Sequence, residues 1–273
     1  MKIISNPLEL KEYLKTQEGS VGFVPTMGAL HEGHISLIKK ARVENELVVV
    51  SIFLNPTQFL KGEDLDNYPK RDEGDKKICS LANVDVLFFP SKENMYGEDE
   101  VSLLAPKVRG FTLEGATRPG HFNGVLTVVM KLLNLVQPTR AYFGKKDAQQ
   151  LNLISLMVKQ LFMSVEIVPV ETMRDSDGLA KSSRNAYLSQ EERDEALKIS
   201  KSLHEASKLV SRSVLESSAI KESMLSILVP LEVAYVEVLN RDFEMIDKVE
   251  IGNSVILVEA LVGKTRLLDN IWL

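Results

Sequence analysis

"FVPTMGALHEGHISLIKKA", residues 23–41, connects a short apolar run to an amphipathic segment through a turn that contains two glycines. The apolar run, 21–25, predicts a buried strand, and the apolar residues of "HISLIKKARVE" recur at the three- and four-residue spacings of a helix. Two of the four histidines, His31 and His34, fall where that helix begins. The stretch therefore predicts a strand–turn–helix unit with both imidazoles at the amino-terminal end of the helix.

The same alternation continues along the chain to about residue 170. Further apolar runs that predict buried strands are 47–54, 84–90, 140–145 and 164–170. The segments "YPKRDEGDKKICSLA", "GVLTVVMKLLNLV" and "AQQLNLISLMVKQL" lie between them and have helical periodicity. Strand–helix alternation predicts a Rossmann-like α/β domain over residues 1–173, with a parallel sheet and with ligands beyond the carboxyl ends of its strands.

The pattern changes after this point, and we predict a smaller α+β domain over residues 174–273. Ser189 and Glu192 form a capping-box pattern at the start of a charged amphipathic helix. A second helix is predicted over 216–228, followed by short strands over 231–240, 254–263 and 265–273. The polar segment "RDSDGLAKSSRN", 174–185, is predicted to be a mobile crossover between the two domains.

The composition is that of a globular protein without a strong charge bias. The 273 residues are 44% hydrophobic and 26% charged, with a formal net charge of −5. This charge gives no general attraction to nucleic acid or to anionic membranes, so a bound anion must be held by local donors. The single cysteine, Cys79, excludes an intramolecular disulfide and is predicted to be buried. No segment has the length of a signal-peptide core or a membrane span, and we expect a cytoplasmic protein.

The H-x-G-H pattern at 31–34 has three interpretations. The amino-terminal end of a helix offers backbone N–H groups and the positive end of the helix dipole, and the nearby glycines let the backbone approach a phosphate closely. The two imidazoles would then donate to phosphate oxygens. Alternatively, the imidazoles hydrogen-bond only to the loop backbone. As a third possibility they are metal ligands, although no further histidine or cysteine has a matching spacing.

Two other polar segments favour phosphate binding. "GKKDAQQ", 144–150, falls where a predicted strand gives way to a helix. Lys146 and Gln150 are expected on one helix face, with Lys146 near phosphate and Asp147 near ribose hydroxyls. "KSSRN", 181–185, places two hydroxyls between two cations, an arrangement that suits a triphosphate. The alternative for each segment is solvated surface.

Six motifs together resemble one family. They are "PTMGALHEGH" (25–34), "FLNPTQF" (53–59), "DNYPKRDEGD" (66–75), "RPGHFNGV" (118–125), "FGKKDAQQL" (143–151) and "RDSDGLAKSSRNAYLS" (174–189). H-x-G-H followed by a distant Lys-Ser-Ser-Arg is similar to the HIGH and KMSKS elements of the adenylate-forming nucleotidyltransferase superfold. The full series, in this order, resembles the pantothenate synthetase (pantoate–β-alanine ligase) family.

The resemblance implies an enzyme of coenzyme A precursor biosynthesis that joins (R)-pantoate to β-alanine with ATP and Mg²⁺. Pantoate's carboxylate attacks the α-phosphate and releases pyrophosphate, and the amine of β-alanine then attacks the acyl adenylate and releases AMP. Adenylation is needed because oxide is a poor leaving group. The resemblance also implies a homodimer, for which the apolar helix "GVLTVVMKLLNLV" is the expected interface.

The family's ATP contacts map onto three segments and one flanking position. They are Met27, Gly28, Ala29, Leu30, His31, Glu32, Gly33 and His34; Gly144, Lys145, Lys146 and Asp147; Met173; and Lys181, Ser182, Ser183 and Arg184. His34 matches the family's proton donor. The resemblance assigns His31 and Lys146 to catalysis with it.

The other implied roles concern the second substrates and the metal ion. Gln58 and Gln150 match two glutamines that hold pantoate, and Gln58 also lies near β-alanine. Asn55 and Tyr68 match further pocket positions. Asp75 is a candidate for Mg²⁺ through phosphate-bound waters.

Three positions depart from the family pattern: Lys70 replaces the usual arginine, Lys145 an acidic or neutral residue, and Ala148 an aromatic one. The role of His121 is open between a structural residue and a part of a substrate loop. His204 is expected to be solvated surface.

Two rival functions remain at this stage. A nucleotidyltransferase of the same superfold that acts on a phosphate would need no amine-accepting pocket, and Gln58 and Gln150 would be unexplained. A catalytically silent nucleotide-binding module would not need His34, Lys146 and the Ser-Ser-Arg loop. Pantoate-dependent exchange of labelled pyrophosphate into ATP distinguishes all three.

Overall fold

The computed structural model describes residues 1–273 as two compact units. The first unit comprises Met1–Gly144 and Leu153–Val170, and the second comprises Lys145–Asn152 and Glu171–Leu273. The chain therefore passes between the units three times within the stretch 144–171. The division into domains after residue 173 stays a prediction.

A six-stranded parallel sheet forms the centre of the first unit. Its strands are β1 (Lys2–Ile4), β2 (Val21–Thr26), β3 (Leu47–Ile52), β4 (Val86–Phe88), β5 (Arg140–Gly144) and β6 (Glu166–Val170), in the sheet order β1-β4-β3-β2-β5-β6. Its helices are α1 (Pro7–Lys15), α2 (Glu32–Glu44), α3 (Asp72–Leu81), α4 (Lys92–Met95), α5 (Glu114–Thr117), α6 (His121–Val136) and a 3-10 helix, Pro56–Gln58. Helix α7 (Ala148–Gln160) begins in the second unit and continues in the first. The predicted Rossmann-like α/β architecture is confirmed.

The apolar runs of the sequence form the centre of this sheet. β2 and β3 pair in parallel from Val21 opposite Leu47 to Thr26 opposite Ile52. Val24 and Val50 are fully buried, as are most residues of both strands. Nearly continuous burial is typical of parallel strands that are covered on both faces, which explains why these strands show no alternation of apolar and polar residues.

The order of the strands reverses at β2. Its neighbours are β3 on one side, which follows it in the chain, and β5 on the other, with Gly22 opposite Arg140 and Phe23 opposite Ala141. In open parallel sheets, ligands bind beyond the carboxyl ends of the strands at such a reversal. The H-x-G-H turn follows β2 directly, so the topology places it at this point.

The sequence patterns did not predict β1 and α1. β1 has three residues, of which only Ile4 is buried, so it is too short to show a period. α1 is capped by Asn6, whose side chain accepts from the N–H groups of Leu8 and Glu9. The predicted strand 84–90 is also shorter in the structure, where β4 covers Val86–Phe88.

The second unit contains two helices and an antiparallel sheet. Its elements are a 3-10 helix (Ser183–Tyr187), α8 (Gln190–Ser211), α9 (Ser217–Leu228), β7 (Glu232–Asn240), β8 (Ser254–Val262) and β9 (Thr265–Trp272). Ser189 caps α8 with Glu192 in the predicted capping box. The unit has a core of its own, in which Leu203, Ile220 and Val258 are buried. The predicted α+β fold of this region is confirmed.

The polar segment 174–185, which its composition predicts to be a mobile crossover, has defined contacts within the second unit. Arg174 pairs with Asp269 at 2.5 Å, and its backbone bridges that of Ala180. Asp175 accepts from Lys181 at 2.7 Å and from Arg193 at 2.8 Å. These ion pairs join the segment to residues far along the chain, and its mobility as a crossover stays a prediction.

Helix α6 is not available as the predicted dimer interface. Eleven of its residues are buried within the chain's own fold, including Val125, Val129 and Leu133. The apolar character of this helix is therefore explained by the core of the first unit. None of the helices combines the length and apolarity that a membrane span requires.

Two expectations about single residues hold. Cys79 is a free, fully buried thiol, and burial raises its pKa to about 12. His204 is exposed on α8.

Candidate active site

The two histidines of the H-x-G-H turn close a capping box at the start of α2. His31 is the N-cap residue, and its Nδ1 accepts from the backbone N–H of Gly33 at 3.1 Å. His34 Nδ1 accepts from the backbone N–H of His31 at 3.3 Å. Because Nδ1 is the acceptor in both rings, the hydrogen of each neutral imidazole lies on Nε2. Each ring therefore presents an Nε2–H donor at a helix N-terminus.

This geometry reconciles two of the three interpretations of the motif. Nδ1 of each ring accepts the hydrogen bond from a backbone N–H, and Nε2 is the atom that would donate to an anion. The ring centroids are 4.2 Å apart, so the two donors act on the same small region. The metal interpretation has no support, because no group of three histidine, cysteine, aspartate or glutamate residues is arranged to hold a metal ion.

Asp75 fixes the turn that precedes the histidines. Its carboxylate accepts from the backbone N–H groups of Ala29 and Leu30, both at 2.8 Å. The turn needs this support because Gly28 and Ala29 both have positive φ, 89° and 50°. Burial raises the pKa of Asp75, and the two backbone hydrogen bonds oppose that rise. A side chain on α3 thus fixes the backbone of the turn that leads into the H-x-G-H motif.

The magnesium role expected of Asp75 does not fit this geometry. The residue is 1% exposed, and each of its oxygens already accepts a backbone hydrogen bond. Mg²⁺ binds through accessible carboxylate oxygens and waters. We therefore assign Asp75 to the turn.

A cavity of about 300 Å³ lies beside the turn within the first unit. Its lining includes Met27, Gly28 and Ala29 from the turn, Phe53 and Leu54 from the end of β3, Tyr68, Lys70 and Arg71 from the following loop, and Asp75. Tyr68 is buried and packs edge-on against Phe59, with 6.0 Å between the ring centroids. Lys70, a departure from the family pattern, is exposed at this cavity.

Asn55 and Gln58 form a connected pair at the 3-10 helix that follows β3. Asn55 is 1% exposed, and its Oδ1 accepts from Thr57 and from the Tyr96 hydroxyl at 2.8 Å. Its Nδ2 donates to Gln58 Oε1 at 3.1 Å. The amide nitrogen of Gln58 donates to the Met27 sulfur at 3.0 Å. Asn55 therefore orients Gln58 and has no polar atom left for a substrate.

A buried ionic cluster lies beneath Gln58. Arg118 is 6% exposed and binds Glu63 through two hydrogen bonds of 2.7 Å and Glu114 through one of 2.9 Å. Burial opposes ionisation of Glu63, but the hydrogen bonds from Arg118 and from the Leu60 N–H lower its pKa to about 2. Burial lowers the pKa of His121, which keeps this imidazole neutral beside Arg118.

The second predicted ATP segment lies mostly in the second unit, where Asn270 supports its backbone. Asn270 Nδ2 donates to the carbonyls of Lys145 at 3.0 Å and Lys146 at 2.6 Å. The Lys146 ammonium lies 3.2 Å from the Asp147 carboxylate. Helix α7 begins only at Ala148, so Lys146 precedes it and does not share a helix face with Gln150, contrary to the prediction. Gly144, the first residue of the predicted segment, is the last residue of β5.

The two departures near this segment have structural explanations. Lys145 pairs with Glu171, and its ammonium lies 5.7 Å from the centroid of the Trp272 ring. Ala148 is 2% exposed as the first residue of α7.

The third predicted ATP segment begins beside Asp175. The Lys181 ammonium pairs with that carboxylate, and hydrogen bonds from Lys181 and Arg193 lower the pKa of Asp175. Ser182 caps the 3-10 helix by accepting from the Arg184 N–H at 3.3 Å, and Ser183 is the first residue of that helix. Met173 is 41% exposed, and its carbonyl accepts from the Lys181 N–H.

Sequence reasoning missed several residues that hold these segments. Glu63, Glu114 and Arg118 were not singled out because their charges meet only in the folded chain. The one available signal was that Arg118 and His121 share the motif "RPGHFNGV". Asn270 lies near the end of the chain and follows no recognisable pattern.

The fold and the capped H-x-G-H turn define a Rossmann-like protein with a histidine-capped helix N-terminus at the strand-order reversal. The family model for pantoate-beta-alanine ligase matches residues 2–272, and the chain belongs to this family. It is 71% identical over 273 residues to the pantothenate synthetase of Sulfurimonas denitrificans, with all of both chains covered. It is 47% identical over 275 residues to that of Helicobacter pylori, again with both chains fully covered.

Solved structures of the same type are also similar. The crystal structure of pantothenate synthetase from Thermus thermophilus has a TM-score of 0.95 and 40% identity, with 99% of each chain covered. The pantoate-beta-alanine ligase from Francisella tularensis, complexed with beta-gamma ATP and beta-alanine, has a TM-score of 0.84 and 36% identity. That comparison covers 100% of this chain and 97% of the other.

Proposed function

We propose that this protein condenses (R)-pantoate with β-alanine, using ATP, through a pantoyl-adenylate intermediate. Membership of the pantoate–β-alanine ligase family over residues 2–272 supports this activity. The observation that carries the site assignment is the capping box of His31 and His34, in which Nδ1 of each ring accepts a backbone hydrogen bond and the imidazole hydrogen lies on Nε2, at a helix N-terminus. Such a terminus stabilises the negative charge of phosphates.

In the first step, a carboxylate oxygen of pantoate attacks the α-phosphorus of ATP. The new O–P bond forms as the bond to the bridging oxygen breaks, and pyrophosphate leaves. Charge increases on the departing phosphate, and His34 Nε2 is the donor that we assign to it, with His31 beside it. Asp75 keeps these donors in position because it fixes the turn before α2.

In the second step, the amine of β-alanine attacks the carbonyl carbon of pantoyl adenylate. The C–N bond forms, the C–O bond to AMP breaks, and the ammonium proton is lost to give a neutral amide. Gln58 and Gln150 hold the pantoyl group, because an amide both donates to an oxygen and accepts from a hydroxyl. Orientation of the two reactants is the main contribution expected from these residues.

We assign the remaining ATP contacts residue by residue. They are Met27, Gly28, Ala29, Leu30, Glu32 and Gly33 in the first turn; Gly144, Lys145, Lys146 and Asp147 after β5; Met173; and Lys181, Ser182, Ser183 and Arg184. The cations suit phosphate oxygens, and the Asp147 carboxylate suits ribose hydroxyls. The Lys181 ammonium pairs with the Asp175 carboxylate. When ATP binds, a phosphate would take the place of this carboxylate as the partner of Lys181.

Mg²⁺ enters this proposal with the nucleotide. The chain has no group of three acidic, histidine or cysteine residues that could hold the ion, and Asp75 is committed to backbone groups. ATP phosphates and water are hard oxygen ligands of the kind Mg²⁺ prefers. The ion would supply charge neutralisation of the phosphates.

The activity is tested by exchange of labelled pyrophosphate into ATP with purified protein. We expect exchange that depends on pantoate and pantothenate formation that needs β-alanine in addition. Exchange with a phosphate compound in place of pantoate would support the rival nucleotidyltransferase. Nucleotide binding without exchange under any acid would support the silent module.

We also propose a cytoplasmic homodimer. Val101 and Leu104, 86% and 79% exposed, lie on a segment without helix or strand, and Val108, four residues after Leu104, is 71% exposed. Exposed apolar side chains this close together in the sequence favour burial against a second copy. The single reduced cysteine suits a reducing compartment. Sedimentation equilibrium at micromolar concentration tests the dimer, since a monomer under these conditions contradicts it; cell fractionation tests the compartment.

A further inference from the structure

The motif "RPGHFNG", 118–124, is packed against the backbone that carries Gln58. Gly124, in the first turn of α6, has no room for a side chain, because a Cβ there would lie 2.6 Å from the backbone nitrogen of Gln58. The Gly124 carbonyl also accepts from Asn55 Nδ2 at 3.2 Å. Helix α6 and the 3-10 helix Pro56–Gln58 are therefore in direct backbone contact.

Two side chains of the motif converge on the carbonyl oxygen of Gln58. His121 Nδ1 is 2.7 Å from it, and Arg118 donates to it at 3.3 Å. Arg118 also lies 2.9 Å from His121 Nε2. An arginine can only donate, so Nε2 is the acceptor and the imidazole hydrogen lies on Nδ1, directed at the Gln58 carbonyl. The contact with Arg118 thus selects the tautomer that holds Gln58.

Arg118 is itself immobilised by two carboxylates. Glu63 binds it through two parallel hydrogen bonds and Glu114 through a third, and all three side chains are largely buried. A planar guanidinium held in this way has one orientation. The cluster is therefore rigid enough to define where the Gln58 carbonyl lies.

The side-chain amide of Gln58 is oriented from its other end. Asn55 donates to its oxygen, and its nitrogen donates to the Met27 sulfur, which is a weak acceptor. A nitrogen with a weak partner keeps most of its ability to donate to a substrate oxygen. Both the backbone and the amide of Gln58 thus have fixed positions before a substrate binds.

We propose that His121, held by Arg118, is a positioning residue that places Gln58 for pantoate and β-alanine. The inference rests on the proposed contact of Gln58 with these substrates. His121 has no part in ATP binding in this scheme. Small displacements of a binding group reduce rates strongly, so loss of the hydrogen bond to the Gln58 carbonyl changes substrate use without removing any substrate contact.

The test compares His121→Asn with His121→Gln in the full-length enzyme. The amide of asparagine stands as far along the side chain as Nδ1 and can donate to the Gln58 carbonyl, whereas that of glutamine stands at the place of Nε2, near Arg118. We expect His121→Gln to raise KM for pantoate and β-alanine about tenfold, the equivalent of one hydrogen bond to a neutral group. KM for ATP should change less than about twofold, and His121→Asn should stay within about threefold of the wild type for all three substrates.

Gln58→Ala distinguishes the proposed contact of Gln58 with the substrates from the proposed positioning of Gln58 by His121. A raised pantoate KM in Gln58→Ala together with a normal one in His121→Gln overturns the positioning role alone. A normal pantoate KM in Gln58→Ala overturns the proposed contact and the positioning role with it. Equal increases for pantoate and ATP in His121→Gln, or equal kinetics of the two His121 variants, identify a purely structural residue. If His121→Gln does not fold, His121→Ala, which also removes the Nδ1 donor, should give the same selective increase, and its absence overturns the positioning role.

Discussion

His31 and His34 show why imidazoles, rather than the usual serine and glutamate, close the capping box of α2. A glutamate at the third helical position would satisfy the N-cap N–H but would place a negative charge at the proposed phosphate site. An imidazole accepts the same backbone hydrogen bond through Nδ1 and still donates through Nε2. One residue type therefore meets the demands of the helix and of the anion together.

Replacing His34 by asparagine separates these two tasks. The asparagine oxygen can still accept from the His31 N–H, but the Nε2 donor is lost. We expect a normal thermal unfolding midpoint and a decrease of tenfold to about a hundredfold in the rate of adenylate formation, as befits one charge-assisted hydrogen bond. Single-turnover measurement of adenylate checks this, with the exposed His204→Asn as control. An unchanged rate would remove His34 from the first step.

Gln150 should affect pantoate rather than ATP. It is the third residue of α7, and Lys146 precedes that helix, so the two residues are positioned by different backbone segments. Gln150→Ala should weaken pantoate binding roughly fivefold to a hundredfold through the loss of two neutral hydrogen bonds. Gln150→Glu should bind still more weakly because a second carboxylate repels that of pantoate. Titration with each substrate separately decides this, and a parallel loss of ATP affinity would indicate a general structural defect.

At the scale of elements, the sequence predicted those whose signal is local. The central strands show as apolar runs, and the start of α8 shows as Ser189 and Glu192, the capping box that the structure contains. The β2–α2 connection was also predictable, because glycine and two histidines mark it. Local patterns report local hydrogen bonds and burial, and these decide where most helices and strands begin.

What the sequence did not predict depends on contacts between distant residues. Asp75 lies 45 residues after Leu30 and accepts a hydrogen bond from the Leu30 backbone N–H. No sequence pattern near Asp75 indicates that it supports that turn. The segment 174–185 looked unconstrained because its ion pairs involve Arg193 and Asp269. The family resemblance predicted ligand-binding segments but did not indicate the residues that hold their backbones.

The contact between α3 and the turn before α2 leads to a further prediction. Asp75→Asn replaces one acceptor oxygen by an NH₂ group that faces a backbone N–H. Leaving that buried N–H without an acceptor costs about 1–3 kcal/mol, and the turn should shift to avoid it. We expect KM for ATP to rise on the order of tenfold. Glu73→Gln, an exposed change on the same helix, is the matched control, and equal ATP kinetics in the two variants would contradict the role of Asp75.

At the scale of the whole molecule, the buried cluster around Arg118 links the candidate site to stability. Breaking a buried ion pair leaves an uncompensated charge and is strongly destabilising, unlike the loss of a surface pair. Glu63 and Glu114 come from different segments and meet at one guanidinium, so the cluster fixes segments that are far apart in sequence. The proposed positioning of Gln58 and the resistance of the fold to acid thus depend on the same charges.

The low pKa of Glu63 makes the stability of the fold depend on pH in a defined range. Its pKa is about 2 in the folded protein and 4.5 without these interactions, so its contribution is complete above about pH 4.5 and is lost as the pH falls toward 2. The difference corresponds to about 3 kcal/mol. We expect Glu63→Gln to be less stable at neutral pH and to lose less further stability between pH 4.5 and 2. Urea unfolding across this range measures it, with Glu12→Gln, which removes an exposed pair with Lys15, as control. Parallel pH profiles of wild type and Glu63→Gln would show that the carboxylate of Glu63 is not stabilised by Arg118.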